Sequence, residues 1–515
     1  MLQPYQNEPL TDFSDPASAA AYREALARVR RQLGALRPLI IGGEEVDTGG
    51  RILSLNPAKP AEVVGAVPTA GPQQADQALE AAWQAFPAWA TRPAEERAVI
   101  LVKLAAELRR RKFELAAWET LEASKNWAEA DADVAEAIDF CEYYARQALK
   151  FAKPQPVRPF PGEFNQSLLQ ALGAGVIIPP WNFPLAILVG MALGPVAAGN
   201  TVVVKPSSCT PVIGAVFMEA VAAADLPPGV VNFLPGRSEE VGDYLVDHVR
   251  TRFINFTGSK AVGTRIAVRA AQVHPGQQWL KRAYMEMGGK DAIVIDETAD
   301  LDAAVSDAVR SAFGFQGQKC SAASRLIIVK EVYDTVLERL LAAVKDIKVG
   351  PAEENFQVAA IISEAQYHMV LQEIEKGKTQ ARLAAGGNRI ARDGGYFLEP
   401  TVFAEVPPGA RLAQHEIFGP VLSVIKARDF DDAVRIFNDT EYGLTGGLFS
   451  RSRERIERAK REFYVGNLYI NRKITGALVG VQPFGGFKMS GSNAKAGGPD
   501  YLRLFMEMKS VAERL

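Results

Sequence analysis

Short apolar strands alternate with helical stretches between residues 173 and 289, and this alternation constrains the fold more than any other feature of the sequence. The predicted strands cover residues 175–178, 201–204, 230–233 and 252–256. Each strand runs into a loop that contains proline, glycine, serine or lysine. Such an alternation is typical of a parallel sheet with helices on its faces. The sequence therefore predicts an α/β fold that binds its ligand where these loops gather, at the carboxyl ends of the strands.

The last of these loops has the composition of a phosphate-binding turn. Residues 257–263, Thr-Gly-Ser-Lys-Ala-Val-Gly, follow a strand and precede a helix. Glycine lets the backbone approach a phosphate, and the free N–H groups at a helix start favour an anion. The spacing differs from the Gly-x-Gly-x-x-Gly fingerprint of dinucleotide-binding proteins, so the pattern by itself leaves a plain turn equally open.

The remaining segments differ in character, and a chain of 515 residues predicts two or three domains. Asp15-Pro16 is a helix-start signal that predicts a helical N-terminal arm. Residues 42–43, a glycine pair, predict a hairpin, and several long helices are expected between residues 73 and 150. Prolines between residues 154 and 161 then end the helices and precede an extended ribbon. A second α/β unit follows residue 291, and the tail predicts an edge strand.

The charge balance excludes several function classes. The chain has 58 Lys and Arg against 60 Asp and Glu, a net charge of -2, so no overall field points to nucleic acid or to an anionic membrane. The most apolar run, residues 186–198, falls short of the roughly 20 residues that a membrane span needs. No secretory signal is visible at the start, and a soluble cytoplasmic protein is expected. No histidine or cysteine pair has zinc-binding spacing, so no metal is expected.

Three widely spaced cysteines, Cys141, Cys209 and Cys320, suit a reducing compartment better than a disulfide framework. Cys320 lies in a polar, glycine-containing loop between a predicted helix and a predicted strand. The ammonium of the preceding Lys319 would favour a reactive thiolate by Coulomb attraction. A free cysteine is more often a small buried hydrophobe, so the loop alone leaves both interpretations open.

Seven separated motifs resemble those of the aldehyde dehydrogenase superfamily, in that family's order, from about residue 39 to residue 511. They are Pro180-Trp181-Asn182-Phe183-Pro184, Lys205-Pro206, Phe256-Thr257-Gly258-Ser259, Met285-Glu286-Met287-Gly288-Gly289-Lys290, Gly317-Gln318-Lys319-Cys320, Glu416-Ile417-Phe418-Gly419-Pro420 and Pro483-Phe484-Gly485-Gly486. Seven motifs in one order are very hard to obtain by chance.

The resemblance implies the aldehyde dehydrogenase fold with three domains behind a helical arm of residues 1–38. A Rossmann-like NAD(P)-binding domain would comprise residues 39–153 and 173–288, and an α/β catalytic domain residues 289–488. Residues 154–172 and 489–515 would form a small β oligomerisation domain. A homo-oligomer of at least two chains is therefore expected.

The resemblance also implies three catalytic roles. Cys320 would be the nucleophile, because a thiolate readily forms a tetrahedral adduct with an aldehyde. The Asn182 side-chain amide and the Cys320 backbone N–H would stabilise the oxygen anion of that adduct. Glu286 would be the general base that activates water to hydrolyse the thioester. Taken singly, Asn182 also suits a turn and Glu286 an exposed strand end.

For the cofactor, the resemblance implies NAD, held by Lys205 at the adenosine ribose and by Glu416 at the nicotinamide ribose. The full implied set is Ile178, Pro179, Trp181, Lys205, Ser208, Gly258, Ser259, Val262, Glu286, Gly288, Glu416 and Phe418. Ser208 departs from the family pattern, since many NAD-preferring relatives carry a glutamate there. A serine would not repel a 2'-phosphate, so tolerance of NADP is expected.

Two longer stretches, residues 315–325 and 471–486, are most similar to the branch of the superfamily that oxidises glutamate γ-semialdehyde. The residues that this implies at the substrate are Phe183, Lys319, Ser321, Gly476, Ala477 and Phe484. Ser321 and the N–H groups of Gly476 and Ala477 would hold the α-carboxylate with help from Lys319. Phe183 and Phe484 would flank the aliphatic middle. A place in proline degradation follows, with a separate proline dehydrogenase as a partner.

Several alternatives accompany that interpretation. A dehydrogenase of succinate semialdehyde or of another carboxylated aldehyde would need a similar anion receptor. A CoA-acylating relative is disfavoured because Glu286, which serves thioester hydrolysis, is present. A non-catalytic protein on the same fold is disfavoured by the joint presence of Cys320, Asn182 and Glu286.

Overall fold

A computed structural model describes residues 2–515 as an α/β protein built on two seven-stranded sheets. The helices, numbered in chain order, are α1 Pro16–Arg30, α2 Pro72–Thr91, α3 Ala94–Arg110, α4 Lys112–Glu122, α5 Trp127–Phe151, α6 Ala186–Ala197, α7 Pro211–Ala223, α8 Asp243–Asp247, α9 Lys260–Ala270, α10 Leu301–Phe313, α11 Tyr333–Lys345, α12 Glu364–Gly377, α13 Arg411–Gln414, α14 Phe430–Asn438 and α15 Arg453–Glu462.

The strands are numbered in the same way. They are β1 Leu39–Ile41, β2 Glu44–Val46, β3 Arg51–Asn56, β4 Lys59–Pro68, β5 Glu163–Ala171, β6 Ala174–Ile178, β7 Thr201–Val204, β8 Val231–Phe233, β9 Phe253–Thr257, β10 Arg282–Glu286, β11 Ala292–Ile295, β12 Arg325–Val329, β13 Arg382–Ala385, β14 Arg389–Ile390, β15 Phe397–Leu398, β16 Thr401–Ala404, β17 Val421–Ala427, β18 Tyr442–Gly443, β19 Thr445–Phe449, β20 Asn467–Ile470, β21 Phe487–Lys488 and β22 Met506–Arg514.

The first sheet has the order β10-β9-β6-β7-β8-β1-β2. Strands β10, β9, β6, β7 and β8 are parallel, and the hairpin β1–β2 continues the sheet in antiparallel fashion. Because the central strands are covered by helices on both faces, they are mostly apolar, as in the fully buried Thr201–Val204. The predicted strands and the glycine-pair hairpin are confirmed.

The second sheet has the order β13-β16-β17-β12-β11-β19-β20 and is parallel except for the edge strand β13. Residues 287–291 connect β10 of the first sheet to β11 of the second. The carboxyl edge of the first sheet therefore meets the amino edge of the second, and the α/β architecture expected from the strand rhythm is confirmed.

The extended ribbon and the C-terminal tail pair with each other. Strand β5 and strand β22 form a two-stranded antiparallel sheet from Met506↔Ala171 to Arg514↔Glu163. Phe164 and Met508 expose about half of their surface there, 49% and 53%. Large exposed apolar side chains on a protruding ribbon are typical of a surface that another chain covers.

The N-terminal arm begins with α1, where the Asp15 carboxylate accepts the N–H groups of Ala17 and Ser18 ahead of proline at the first helical position. The buried face of α1, including Tyr22 and Val29, joins the main hydrophobic core with helices α3 to α7. Helix α5, capped by Asn126, is the longest of these and runs past the gap between the sheets. Within residues 2–515, no helix is both long and apolar enough to cross a membrane.

Candidate active site

Parallel strands place the expected cofactor residues along one edge. Ile178, Lys205, Gly258 and Glu286 end or directly follow β6, β7, β9 and β10. The register pairs Ile178 with Phe256 and Glu286 with Thr257, so these ends lie side by side. Ligands of open α/β sheets bind outside such carboxyl ends.

A cavity of about 120 Å³ lies where this edge meets the second sheet. Its wall includes seven of the residues expected at the chemistry or the substrate, together with Glu136, Phe140 and Tyr501. The seven are Phe183, Glu286, Cys320, Ser321, Gly476, Ala477 and Phe484. Residues as far apart in sequence as Phe183 and Phe484 are therefore neighbours. Asn182 and Lys319 are not part of this wall.

The loop before Cys320 has an unusual backbone. Phe315, Gln316 and Gly317 are all left-handed, with φ of 49°, 58° and 67°. For the two residues that carry a side chain this costs about 1–3 kcal/mol each, and it persists only where the surroundings enforce it. Gln316 Nε2 donates to the carbonyls of Ser124 (3.1 Å) and Ala360 (2.9 Å). A side chain at Gly317 would overlap the carbonyl of Gly419, so the loop leading to Cys320 is rigidly fixed.

The thiol environment contradicts the electrostatic expectation for Cys320. Burial, then the nearby carboxylates of Asp291, Glu416 and Glu286, raises the pKa of the Cys320 thiol above its usual value. Lys319 does not offset this, because its Nζ lies 2.7 and 2.6 Å from the two carboxylate oxygens of Glu129. The negative charge of the carboxylate cancels most of the electrostatic effect that the ammonium would have on a neighbouring thiol.

Asn182 lies directly behind the nucleophile loop. It is buried, and its Nδ2 donates to the carbonyl of Gln318 at 3.1 Å, two residues before Cys320. The carboxamide group has two N–H donors, so this bond orients the amide and leaves the second N–H for another acceptor.

Glu286 ends β10 and faces the cavity. Its Oε1 accepts the N–H of Ala494 at 2.9 Å, and its Oε2 accepts the N–H of Gly486 at 3.2 Å. Burial outweighs these two bonds and raises the pKa of the Glu286 carboxyl to about 8. A carboxylate whose pKa lies near neutral pH is suited to accept a proton from water.

The cofactor edge fits the adenosine half of a dinucleotide. Lys205 is 2% exposed, and burial lowers its pKa to about 8. Its Nζ contacts are long, 3.1 Å to Ser238 Oγ and 3.3 Å to the carbonyl of Pro206, so the ammonium can still donate to ribose hydroxyls. Ser208, three residues after Lys205, is exposed.

A helix start follows β9 on the same edge, with β6 between it and the strand that precedes Lys205. Ser259 caps α9, with its Oγ accepting the N–H of Val262 at 3.4 Å. A side chain at Gly258 would lie 2.6 Å from the Phe256 ring, so only glycine fits where the helix opens. An N-terminus with free N–H groups favours a pyrophosphate. Pro179 is buried and Ile178 half-buried at the adjoining strand end.

A second group of residues, around Glu416, fits the nicotinamide half of the dinucleotide. Glu416 Oε1 accepts the N–H of Gly289 at 3.0 Å, and burial raises the pKa of the Glu416 carboxyl to about 7. A side chain at Gly288 would overlap the Glu416 carboxylate. Trp181 and Phe418 meet edge to face with ring centroids 5.4 Å apart. The residues present therefore fit a nicotinamide dinucleotide along the whole edge.

The cavity wall also contains anion-binding groups. Gly476 has φ of 75°, a backbone that favours glycine, and the Ala477 backbone follows it in the cavity wall. Ser321 is buried beside them. Lys473 Nζ lies 3.5 Å from the position of a Cβ on Gly476, and the ion pair Lys319–Glu129 lies close to Lys473. Lys473 and Lys319 therefore bring two ammonium groups near this part of the wall, and Glu129 pairs with the second of them.

Glu136 was missed by the sequence reasoning. It lies on α5, lines the cavity, and has its pKa raised to about 8, first by burial and then by Asp133. A glutamate within an amphipathic helix has no local signature, because acidic residues are common on helix surfaces. Only the folded structure shows that Glu136 lines the cavity.

A buried charge cluster supports the apolar wall of the cavity. Lys125 Nζ contacts the Asp133 carboxylate and lies 4.0 Å from the ring centroid of Phe183 and 4.9 Å from that of Phe315. Asp133 also accepts the N–H of Ala186, at the start of α6, at 2.5 Å. A buried lysine with a carboxylate partner and two aromatic faces fixes Phe183 against the nucleophile loop.

With its two sheets and a cavity that Cys320 and Glu286 both line, the chain belongs to the aldehyde dehydrogenase family, whose sequence profile matches residues 45–511. It is 54% identical over 514 residues to the 1-pyrroline-5-carboxylate dehydrogenase of Geobacillus kaustophilus (strain HTA426), with 100% of both chains covered. A solved structure of 1-pyrroline-5-carboxylate dehydrogenase from Thermus with bound NAD is 59% identical and superimposes with a TM-score of 0.99 over 100% of both chains.

A longer protein contains a similar unit. The structure of proline utilization A from Bdellovibrio bacteriovorus is 47% identical, with a TM-score of 0.97. The match covers 99% of this chain and 53% of that one. The fold of the present chain therefore also occurs as about half of a larger polypeptide.

Proposed function

We propose that this chain oxidises L-glutamate γ-semialdehyde, which forms from 1-pyrroline-5-carboxylate, to L-glutamate with NAD as the hydride acceptor. One observation carries the proposal: a single cavity is lined by Cys320 and Glu286 and also by Gly476, Ala477 and Glu136. The first pair suits aldehyde oxidation, and the second set suits an amino-acid head group.

The residues supply each step of the chemistry. Cys320 Sγ, once deprotonated, attacks the aldehyde carbon and forms a thiohemiacetal whose oxygen is an anion. The Asn182 amide and the Cys320 backbone N–H would stabilise that oxygen. The bound dinucleotide supplies the acceptor for the hydride that leaves the same carbon. A thioester on Cys320 remains, and Glu286 takes a proton from the water that hydrolyses it, which releases the carboxylate and the free cysteine.

Both charged groups of the substrate have counterparts in the cavity. The backbone N–H groups of Gly476 and Ala477 and the Ser321 hydroxyl would bind the α-carboxylate, with the Lys473 ammonium close to Gly476. Glu136 would receive the α-ammonium. Succinate semialdehyde carries a carboxylate but no ammonium, so Glu136 favours the amino acid over that alternative.

We further propose that NADP is tolerated. Ser208, after Lys205, adds no negative charge at the adenosine ribose, although Glu239 faces Lys205 from the turn that precedes α8. A single exposed carboxylate would weaken binding of a 2'-phosphate without excluding it.

The direct test is a steady-state assay of NADH or NADPH formation with 1-pyrroline-5-carboxylate, with succinate semialdehyde and propanal as comparison substrates. We expect kcat/KM to be highest for the pyrroline, since only its open form fills both ends of the cavity. The two cofactors should differ by less than about a thousandfold in kcat/KM. A preference for succinate semialdehyde would contradict the proposed substrate, and a larger cofactor ratio would contradict the NADP tolerance.

Gly476 offers a test of the anion anchor. Replacing Gly476 with valine should lower kcat/KM for glutamate semialdehyde by about a hundredfold, because a branched residue cannot adopt φ of 75° and the anchor N–H groups would move. Turnover of propanal, which has no carboxylate, should change by less than about threefold.

Gly394→Val is the matched control, since Gly394 has a similar φ of 71° and open space around it. It tests whether the loss of a left-handed glycine alone is responsible. Equal losses for both aldehydes in Gly476→Val would mean that the anchor assignment is wrong.

The proposed assembly and context follow from the fold. The exposed Phe164 and Met508 on the ribbon of β5 and β22 support a homo-oligomer built through this surface, which light scattering of the purified protein would test. The likeness to half of proline utilization A supports a separate proline dehydrogenase as the source of substrate. Free cysteines at positions 141, 209 and 320 support a reducing, cytoplasmic setting.

A further inference from the structure

The first residues of the chain reach the substrate end of the cavity. The N-terminal strap, defined here as residues 5–8, contacts both α5 and the loop that carries Gly476 and Ala477. Tyr5 and Asn7 are half-buried there, although they lie far from the catalytic residues in sequence.

Two side chains of the strap donate hydrogen bonds to one carbonyl of the anchor loop, defined here as residues 476–480. Tyr5 Oη donates to the carbonyl oxygen of Val479 at 3.1 Å, and Asn7 Nδ2 donates to the same oxygen at 3.0 Å. Val479 is 4% exposed and lines the cavity together with Gly476. Two donors on one carbonyl fix the position of this peptide more strongly than a single bond would.

The next residue of the loop is also enclosed. Gly480 has φ of 76°, and a Cβ there would lie 3.0 Å from both the Tyr5 and Tyr143 rings. These two rings meet edge to face with centroids 5.2 Å apart. Gly480 N–H donates to the carbonyl of Gly497 at 2.9 Å. The loop is therefore held between the strap on one side and residue 497 on the other.

The strap also forms hydrogen bonds with Asp139 on α5. Asn7 Nδ2 lies 2.8 Å from Asp139 Oδ2, and the backbone N–H of Glu8 donates to Asp139 Oδ1 at 2.7 Å. Asp139 is 4% exposed and lies one helical turn from Glu136. Asn7 thus connects the helix that carries Glu136 to the loop that carries Gly476.

We propose that the N-terminal strap is a specificity-determining element, in which Asn7 and Tyr5 are positioning residues that set the distance between the two halves of the amino-acid receptor. This inference rests on the proposed function. The α-carboxylate and α-ammonium of one substrate are separated by a single carbon, so the loop and the helix must keep a fixed spacing to bind both. Neither residue touches the aldehyde end of the cavity.

The test compares two aldehydes in Asn7→Ala and in the milder Tyr5→Phe, which keeps the ring contacts. For Asn7→Ala we expect KM for glutamate semialdehyde to rise about tenfold with kcat within about twofold, from loss of one or two hydrogen bonds. Inhibition by the product L-glutamate should weaken by the same factor. Both kinetic constants for propanal should stay at the wild-type values.

Ser14→Ala is the matched control, because Ser14 is exposed on the same arm and donates only to the nearby Asp12. Its kinetics should match the wild type. Equal changes for both aldehydes in Asn7→Ala, or a change for neither, would overturn the strap inference. Absence of semialdehyde turnover in the wild-type protein would instead overturn the proposed function, so the two failures are distinguishable.

Discussion

Replacing Cys320 with alanine is expected to lower NADH formation from every aldehyde by at least about ten-thousandfold, because the variant has no atom that can form the covalent adduct. The loop should keep its shape, since its left-handed residues are held by bonds from Gln316 and by contact with Gly419 rather than by the thiol. Titration of NAD by calorimetry should therefore give nearly the wild-type affinity.

Cys141→Ala is the control for general effects of removing a thiol. Cys141 is buried in α5 and points away from the cavity wall formed by its neighbour Phe140. Its activity should remain within about threefold of the wild type. Retention of more than a tenth of the activity in Cys320→Ala would show that another group is the nucleophile.

Replacing Glu286 with glutamine separates the two halves of the reaction. The amide has the shape of the carboxylate but cannot accept a proton, so hydrolysis of the thioester should slow by about 10²–10⁴-fold while its formation continues. Stopped-flow absorbance should record a burst of about one NADH per chain and then a slow steady rate. A variant without a burst would place Glu286 before hydride transfer.

The pH dependence gives an independent check on Glu286. Burial raises the pKa of its carboxyl to about 8, so the carboxyl becomes protonated as the pH falls through that value. The wild-type kcat should therefore decrease from pH 9 to pH 6, whereas the residual rate of Glu286→Gln should lack that step. Glu297→Gln, which alters an exposed carboxylate paired with Arg455, should keep the wild-type profile.

Local signals explain which parts of the molecule could be predicted. The buried strands are short apolar runs with turn residues after them, and parallel strands bring Lys205 and Glu286 to one edge by geometry alone. The roles of Cys320 and Gly476 came from a resemblance whose motifs are contiguous. Their joint presence in one cavity wall agrees with that resemblance.

Long-range contacts explain what could not be predicted. Lys319 was expected beside a thiol or a substrate carboxylate, but its ammonium pairs with Glu129, 190 residues away in the sequence. In the sequence, Glu136 is an ordinary helical glutamate and Asn7 an ordinary polar residue near a terminus. Only the fold places them beside the anchor loop. Tertiary packing, which no local pattern encodes, decides the environment of such side chains.

The acidic surroundings of Cys320 affect how readily its thiol is oxidised. Burial, followed by the nearby Asp291, Glu416 and Glu286, raises the pKa of the Cys320 thiol and so favours its protonated form. Peroxide and alkylating agents attack the thiolate rather than the thiol, so a protonated cysteine is a poor target for irreversible oxidation. The buried, acidic surroundings that raise the pKa of this nucleophile therefore also protect it from irreversible oxidation.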